Sequence, residues 1–174
     1  MDDISLLYSL IRNIPDFPQP GIQFKDITPI LSDPVGFRTS VDLFVQKCRD
    51  VGVQKIVGID ARGFLFGAAA AYALGVGFIP VRKQGKLPFT CRSHSYTLEY
   101  GNNVIEIHDD AIIPGERVVL IDDLLATGGT AGAAAKLVTE LGGVVVQAIF
   151  LIELVALEGH KQLPGVPVTT FLKY

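Results

Sequence analysis

The chain has 174 residues, close to the size of one ordinary domain, and its 49% hydrophobic and 19% charged residues supply ample apolar material for a core, which excludes a disordered chain. Fifteen Lys and Arg against eighteen Asp and Glu give a formal charge of -3, and the one basic concentration is Val81-Arg82-Lys83-Gln84-Gly85-Lys86, so nucleic acid is disfavoured as the main partner. The two cysteines, Cys48 and Cys91, form no C-x-x-C pair and no ligand cluster with His94, His108 and His160, which argues against a disulfide framework or a zinc site and for a reducing compartment.

The acidic start Met1-Asp2-Asp3-Ile4-Ser5 lacks the basic flank and apolar run of a signal peptide, so the expected location is cytoplasmic. Ile4, Leu7, Leu10, Ile11 and Ile14 recur at helical spacing and predict a first helix over 2–13, ended by Pro15. Pro15, Pro18, Pro20 and Gly21 forbid regular structure up to Ile22 and hold that loop stiff. Ser32 or Asp33 is placed to cap a second helix that opens on Pro34, and the spacing of Val35, Phe37, Val41, Phe44, Val45 and Cys48 carries it to Gly52.

From there the chain alternates. A strand is predicted over 55–59, a helix over 64–74, a strand over 78–81, a strand over 118–121, a helix over 129–141, a strand over 144–152 and a shorter strand over 168–172. That rhythm predicts an α/β fold, a twisted parallel sheet flanked by helices on both faces. Val118-Val119-Leu120-Ile121 and Val144-Val145-Val146 are apolar without alternation, as strands buried on both faces should be. The uncharged run 63–81 would admit a membrane helix by length alone. Gly75, Gly77 and Pro80 break it instead into a helix, a glycine stop and a strand, so no membrane association is expected. Residues 84–103 form a polar excursion long for a compact domain and are expected to act as a mobile lid.

Ligands of an open parallel sheet bind at the carboxyl ends of its strands, which directs attention to the loops after Ile59 and Ile121. The second reads Asp122-Asp123-Leu124-Leu125-Ala126-Thr127-Gly128-Gly129-Thr130 and runs into an Ala-rich helix. Ala126 to Thr130 supply unencumbered N–H groups, two hydroxyls and a helix N-terminus, a cradle for a phosphate dianion; no lysine follows the glycines, so this is no P-loop. Asp122 and Asp123 would repel a phosphate that faced them, whereas a vicinal diol suits carboxylate acceptors; a ribose 5-phosphate presents both groups one sugar ring apart. The alternatives are a glycine-rich turn with an acidic cap and a metal-binding acidic strand.

Residues 118–130 resemble the phosphoribosyl pyrophosphate signature of type I phosphoribosyltransferases, in the form found in members that use adenine. Three further segments resemble the same family: Phe24-Lys25-Asp26-Ile27-Thr28-Pro29, Gly58-Ile59-Asp60-Ala61-Arg62-Gly63-Phe64, and Lys86-Leu87-Pro88 followed by Ser95-Tyr96-Thr97-Leu98-Glu99-Tyr100-Gly101. The similarity extends over nearly the whole chain. It implies the type I phosphoribosyltransferase fold with a small hood subdomain built from about 1–30 and 153–174. It also implies a purine-salvage reaction in which adenine attacks phosphoribosyl pyrophosphate to give AMP and pyrophosphate, with Mg²⁺ held mainly by substrate and water, in a homodimer.

The resemblance also distributes roles. Asp122 and Asp123 would hold the ribose hydroxyls, Ala126, Thr127, Gly128, Gly129 and Thr130 the 5′-phosphate, and Glu99 the proton on the purine. Asp60, Ala61, Arg62 and Gly63 would meet the pyrophosphate on a loop with a strained peptide; for Arg62 the plain alternative is an ion pair with Asp60. Lys86 would belong to the lid and Arg82 would reach the neighbouring subunit's pyrophosphate site, or both are part of a solvated basic face. Glu99 without the family match would be a strand glutamate facing water. Phe24 and Leu154 would cover the two faces of adenine, with Lys25 beside them and the Gln23 amide either on the base edge or in water.

Two rivals frame the test. A phosphoribosyltransferase for hypoxanthine or guanine generally carries Glu-Asp where this chain has Asp-Asp. A sugar-phosphate sensor that regulates transcription would need a basic face or added helices, which this acidic chain does not offer.

Overall fold

The computed structural model describes residues 2–98 and 101–174. It divides into two compact units, Met1–Leu43 and Phe44–Tyr174.

In the first unit, helix α1 (Asp3–Leu10) is capped by the Asp2 carboxylate, which accepts from the Ser5 N–H at 2.9 Å. The predicted helix stops earlier than Asn13, because Arg12–Pro15 forms strand β1, paired antiparallel with β2 (Gln23–Asp26) so that Ile14 lies opposite Phe24. The proline-rich stretch between the two strands is the hairpin connection. Gly21 N–H donates to the Asp16 carboxylate at 2.7 Å there. A short helix, α2 (Thr28–Ser32), precedes α3 (Pro34–Asp50). Of the two residues placed to cap α3, Asp33 does so: its carboxylate accepts from Gly36 N–H at 2.7 Å.

The second unit is built on a seven-stranded sheet in the order β5-β6-β4-β3-β7-β8-β9. Here β3 is Lys55–Ile59, β4 Gly77–Lys83, β5 Cys91–Leu98, β6 Gly101–His108, β7 Arg117–Leu125, β8 Val144–Glu153 and β9 Val168–Lys173. Strands β4, β3, β7, β8 and β9 run parallel, and β6 and β5 extend one edge antiparallel. The crossover helices are α4 (Gly63–Leu74) and α5 (Gly129–Glu140). They cover opposite faces, as the alternation along β3 shows: Val57 and Ile59 join the core under α5 with Ala134, Leu137 and Val138, whereas Ile56 and Gly58 lie against Gly67 of α4. On the α4 side Phe66 stacks on Phe44 at 5.3 Å, and Phe171 of β9 meets the edge of Phe44 at 5.3 Å.

Three expectations change. The polar excursion is an antiparallel ribbon, joined to the sheet by the pairing of Arg82 with Glu106 and Lys83 with Ile105. Its signal lay in the alternation of Ile105 and Ile107, both buried, with Glu106 and His108. The C-terminal strand β9 is hydrogen-bonded to β8 within the main sheet, so it belongs to the core and not to a hood. Strand β7 runs on to Leu125, which places Asp122 and Asp123 on the strand itself, ahead of the loop.

The uncharged run 63–81 resolves as expected into α4, a left-handed Gly75 (φ 68°) at its C-terminus and β4. Among the described residues no helix is long and apolar enough to cross a membrane. Cys48 is buried and Cys91 half-buried, both as free thiols; burial pushes the Cys48 thiol up to about 12.

Candidate active site

Two strand-to-helix corners meet at the carboxyl end of the sheet. Because β3 and β7 are neighbours, with Gly58 opposite Ile121, the corner β3–α4 (Asp60 to Arg62) stands beside the residues that continue β7. They enclose a cavity of about 270 Å³ whose wall includes Asp60, Ala61, Arg62, Asp122, Asp123 and Thr130. A smaller cavity of about 150 Å³ adjoins it, lined by Asp122 and the loop Leu124 to Ala131. The site is thus assembled from the loops that the parallel-sheet rule singled out.

The first corner is packed hard against the second. A Cβ on Gly63 would stand 2.8 Å from Asp122 Oδ1 and 2.8 Å from the Ile121 carbonyl oxygen, so only glycine lets the start of α4 approach β7 this closely. The Asp60–Ala61 peptide is cis. Asp60 does not pair with Arg62. Its carboxylate accepts from Arg82 Nε at 2.9 Å, and Arg62 Nε instead lies 2.9 Å from Asp123 Oδ2. The expected alternative for Arg62 is replaced because Asp123 projects from the neighbouring strand within its reach.

The acid pair is desolvated. Burial pushes the Asp122 carboxyl well above its usual range, and the neighbouring Asp123 charge pushes in the same direction. Burial raises Asp123 too, with the Arg62 guanidinium opposing it. Asp122 Oδ1 accepts from Asp123 N–H at 2.8 Å, which fixes its carboxylate along the strand end. Two carboxylates held short of compensating charge suit a ligand that brings hydroxyl donors or developing positive charge.

The second corner carries no side-chain cation. Helix α5 starts at Gly129 after a left-handed Gly128 (φ 81°), and no side chain caps it, so the N–H groups of its first turn face the small cavity unclaimed by a cap. Gly128 serves a second purpose. A Cβ there would collide with the Gly159 carbonyl, and a Cβ on Gly159 would collide with the Ala126 carbonyl, so the loop rests glycine to glycine on the turn that follows β8. Gly159 had no signal in the local sequence.

The remaining candidates are distributed as follows. Arg82 also lies 5.9 Å from the centre of the Phe64 ring, and its Nη1 donates to the Lys86 carbonyl at 3.3 Å. Lys86 itself is exposed, and it is Lys83 that stands in the cavity wall, with Tyr96, Asn103 and Ile105 of the ribbon, residues that only the strand pairing could bring there. Leu154 is half-buried after β8, and its N–H donates to the Leu125 carbonyl at 2.9 Å. In the first unit Gln23 is exposed, the half-buried Phe24 meets Phe17 edge-on at 5.1 Å, and Lys25 Nζ donates to Asn13 Oδ1 at 2.6 Å. Glu99 and Tyr100 lie outside the described residues.

The phosphoribosyl transferase domain model matches residues 38–165, which contain both corners. A protein of Carboxydothermus hydrogenoformans named adenine phosphoribosyltransferase is 54% identical over 97% of this chain and 99% of its own. The crystal structure of adenine phosphoribosyltransferase from Thermoanaerobacter pseudethanolicus superposes with a TM-score of 0.96 at 51% identity, covering 98% of this chain and 99% of that one. The Saccharomyces cerevisiae adenine phosphoribosyltransferase, complexed with adenine and an imino-altritol bisphosphate, superposes with a TM-score of 0.92 at 41% identity over 97% of this chain and 98% of its own. With two strand-to-helix corners at one end of the sheet, a desolvated acid pair and likeness at this level along its whole length, the chain belongs to the type I phosphoribosyltransferase family, among the adenine phosphoribosyltransferases.

Proposed function

We infer that the chain transfers the phosphoribosyl group of phosphoribosyl pyrophosphate to N9 of adenine, releasing AMP and pyrophosphate. The observation that carries this is the juxtaposition, at one strand end, of the half-buried Asp122 and the buried Asp123 with the uncapped N-terminus of α5. A phosphorylated ribose has a group for each. Its 5′-phosphate meets the N–H groups of Ala126 to Thr130, and its hydroxyls meet the carboxylates.

The sugar carries positive charge as its bond to pyrophosphate breaks, and Asp122 and Asp123, poor in compensating cations, favour that charge. Asp60, Ala61, Arg62 and Gly63 receive the pyrophosphate, with Arg62 turning from Asp123 toward the anion, and Arg82, Lys83 and Lys86 add positive charge along that edge. Glu99 is assigned the proton that adenine N9 gives up as it becomes the nucleophile. Gln23, Phe24, Lys25 and Leu154 are assigned to the base. We place the part of the ribbon near Glu99 as the lid that shields the cationic sugar from water.

Asp60, Asp122 and Asp123 are hard oxygen donors of the kind Mg²⁺ takes, and among the described residues no group of three His, Cys, Asp or Glu could form an all-protein cage. Such donors would hold an ion that keeps its waters and arrives with the substrate's phosphates. Charge neutralisation on the pyrophosphate oxygens is what Mg²⁺ would supply when bound. A homodimer is supported by the outward face of α4, where Leu65, Ala68 and Tyr72 are exposed at helical spacing. The free thiols agree with a cytoplasmic location.

A panel of adenine, hypoxanthine, guanine and orotate with phosphoribosyl pyrophosphate and Mg²⁺, read by nucleotide formation, tests the assignment. AMP from adenine is expected. Nucleotide from a 6-oxopurine or orotate alone would transfer the chain to another acceptor, and no nucleotide from any base would leave the sensor reading standing.

A further inference from the structure

Strand β5 lies along α5 in the opposite sense and is fastened at both ends. Near the C-terminus of α5, Arg92 Nη1 donates to the Glu140 carbonyl at 2.9 Å and His94 Nδ1 lies 3.8 Å from Glu140 Oε1. At the N-terminus the Thr130 hydroxyl donates to the Tyr96 hydroxyl at 3.0 Å. Tyr96 is half-buried and stands in the wall of two cavities, the 270 Å³ cavity of the acid pair and a 390 Å³ polar cavity that includes Thr127 and Gly129.

We propose that Tyr96 is a positioning residue that sets the direction of the Thr130 hydroxyl proton and so tunes the cradle for a 5′-phosphate. The proposal rests on the assignment of Thr130 to that phosphate. A hydroxyl has one proton to donate and two lone pairs to accept with. In the structure the two hydroxyl oxygens lie 3.0 Å apart, so one donates to the other, and without a ligand Thr130 can spend its proton on Tyr96. A phosphate dianion offers only acceptors, so its arrival requires Thr130 to turn that proton toward it. Tyr96 answers by donating its own proton to the freed lone pair of Thr130, and both hydroxyls stay satisfied while the charge-assisted bond polarises the pair. With Phe at this position the ring remains and the reversal has no partner. Because Tyr96 also sits on the ribbon three residues before Glu99, the same bond ties the ribbon to the occupancy of the cradle.

The effect belongs to ligands that carry a 5′-phosphate. Tyr96→Phe is expected to raise KM for phosphoribosyl pyrophosphate and weaken AMP inhibition by the same factor, about threefold to tenfold, the range for one hydrogen bond between neutral groups. kcat, KM for adenine and inhibition by pyrophosphate should stay within about twofold. Thr130→Val removes the hydroxyl through which Tyr96 acts, so Tyr96→Phe in that background should add nothing. Additive losses in the double variant, or an equal loss of pyrophosphate affinity, would overturn the proposal in favour of ring packing alone. Unchanged AMP affinity in Tyr96→Phe beside a wild type that binds AMP defeats the Tyr96 role only. A wild type that does not bind AMP defeats the phosphate assignment as well.

Discussion

Under the proposed function, the two corners at the carboxyl end of the sheet receive anions by different physics. At β3–α4 the chain presents a guanidinium, and Arg62 already holds an acid from the other corner, Asp123, at 2.9 Å. At β7–α5 there is no cation in the loop, and the uncapped helix N-terminus after Gly128 offers backbone dipoles. A side-chain cation can exchange partners, from Asp123 to a pyrophosphate and back as product leaves. Backbone N–H groups stay fixed, and suit the phosphate that remains attached to the sugar throughout. On that proposal the group that leaves is met by the movable charge, and the group that stays by the rigid one.

This contrast can be broken at named positions. The largest expected effect is from Asp123→Asn, which removes the charge that pairs with Arg62 and that the proposed function turns toward the sugar. AMP formation should fall by about 100-fold or more with the fold retained by circular dichroism, the scale for a lost electrostatic contact to a developing charge. Turnover near wild type would end the ribose-holding role. Next is Gly128→Ala, which meets both a left-handed backbone and the Gly159 carbonyl. A loss of about 2 kcal/mol or more in denaturant unfolding is expected, together with weakened AMP binding. If only stability fell, the cradle would be shown indifferent to the loop's seat.

Arg62→Gln should raise KM for phosphoribosyl pyrophosphate by about tenfold, the scale for one charge-assisted contact, and leave the affinity for AMP nearly unchanged, since AMP has no pyrophosphate. Equal losses for both ligands would mean that Arg62 serves Asp123 more than the substrate. The smallest effect is on stability. Burial raises the Asp122 carboxyl above its ordinary 3.8, so the folded state holds a proton more readily than the unfolded chain. Its favourable contribution is complete below that ordinary value and is lost as pH rises through the raised one. Asp122→Asn should therefore have a higher Tm than the wild type at neutral pH without ligand, with the gap closing toward pH 4. A gap independent of pH would assign the gain to packing.

Much of this was legible along the chain, and the reason is locality. The helix start after Asp33, the left-handed Gly75 and the unbroken apolar runs of β7 and β8 follow from residues within a few positions of each other. The proposed phosphate cradle is local as well, since a helix N-terminus and the residues that open it are contiguous. The ribbon was less legible because most of β5 is polar, and its strand character comes from pairing with β6. The hood was misassigned at its C-terminal end because a short strand carries no mark of which neighbour it will join.

By itself, then, the amino-acid order determined the α/β alternation, the acid pair and the glycine turn that opens α5, all of which are set by short-range periodicity, capping and backbone freedom. The tertiary structure alone decided which polar groups meet: Arg62 with Asp123, Arg82 with Asp60, and Tyr96 with Thr130. It also decided that Gly128 would rest on Gly159. Those contacts depend on strand order and register, which bring together residues distant in the chain, and Coulomb attraction and hydrogen bonding act on distance in space rather than along the sequence.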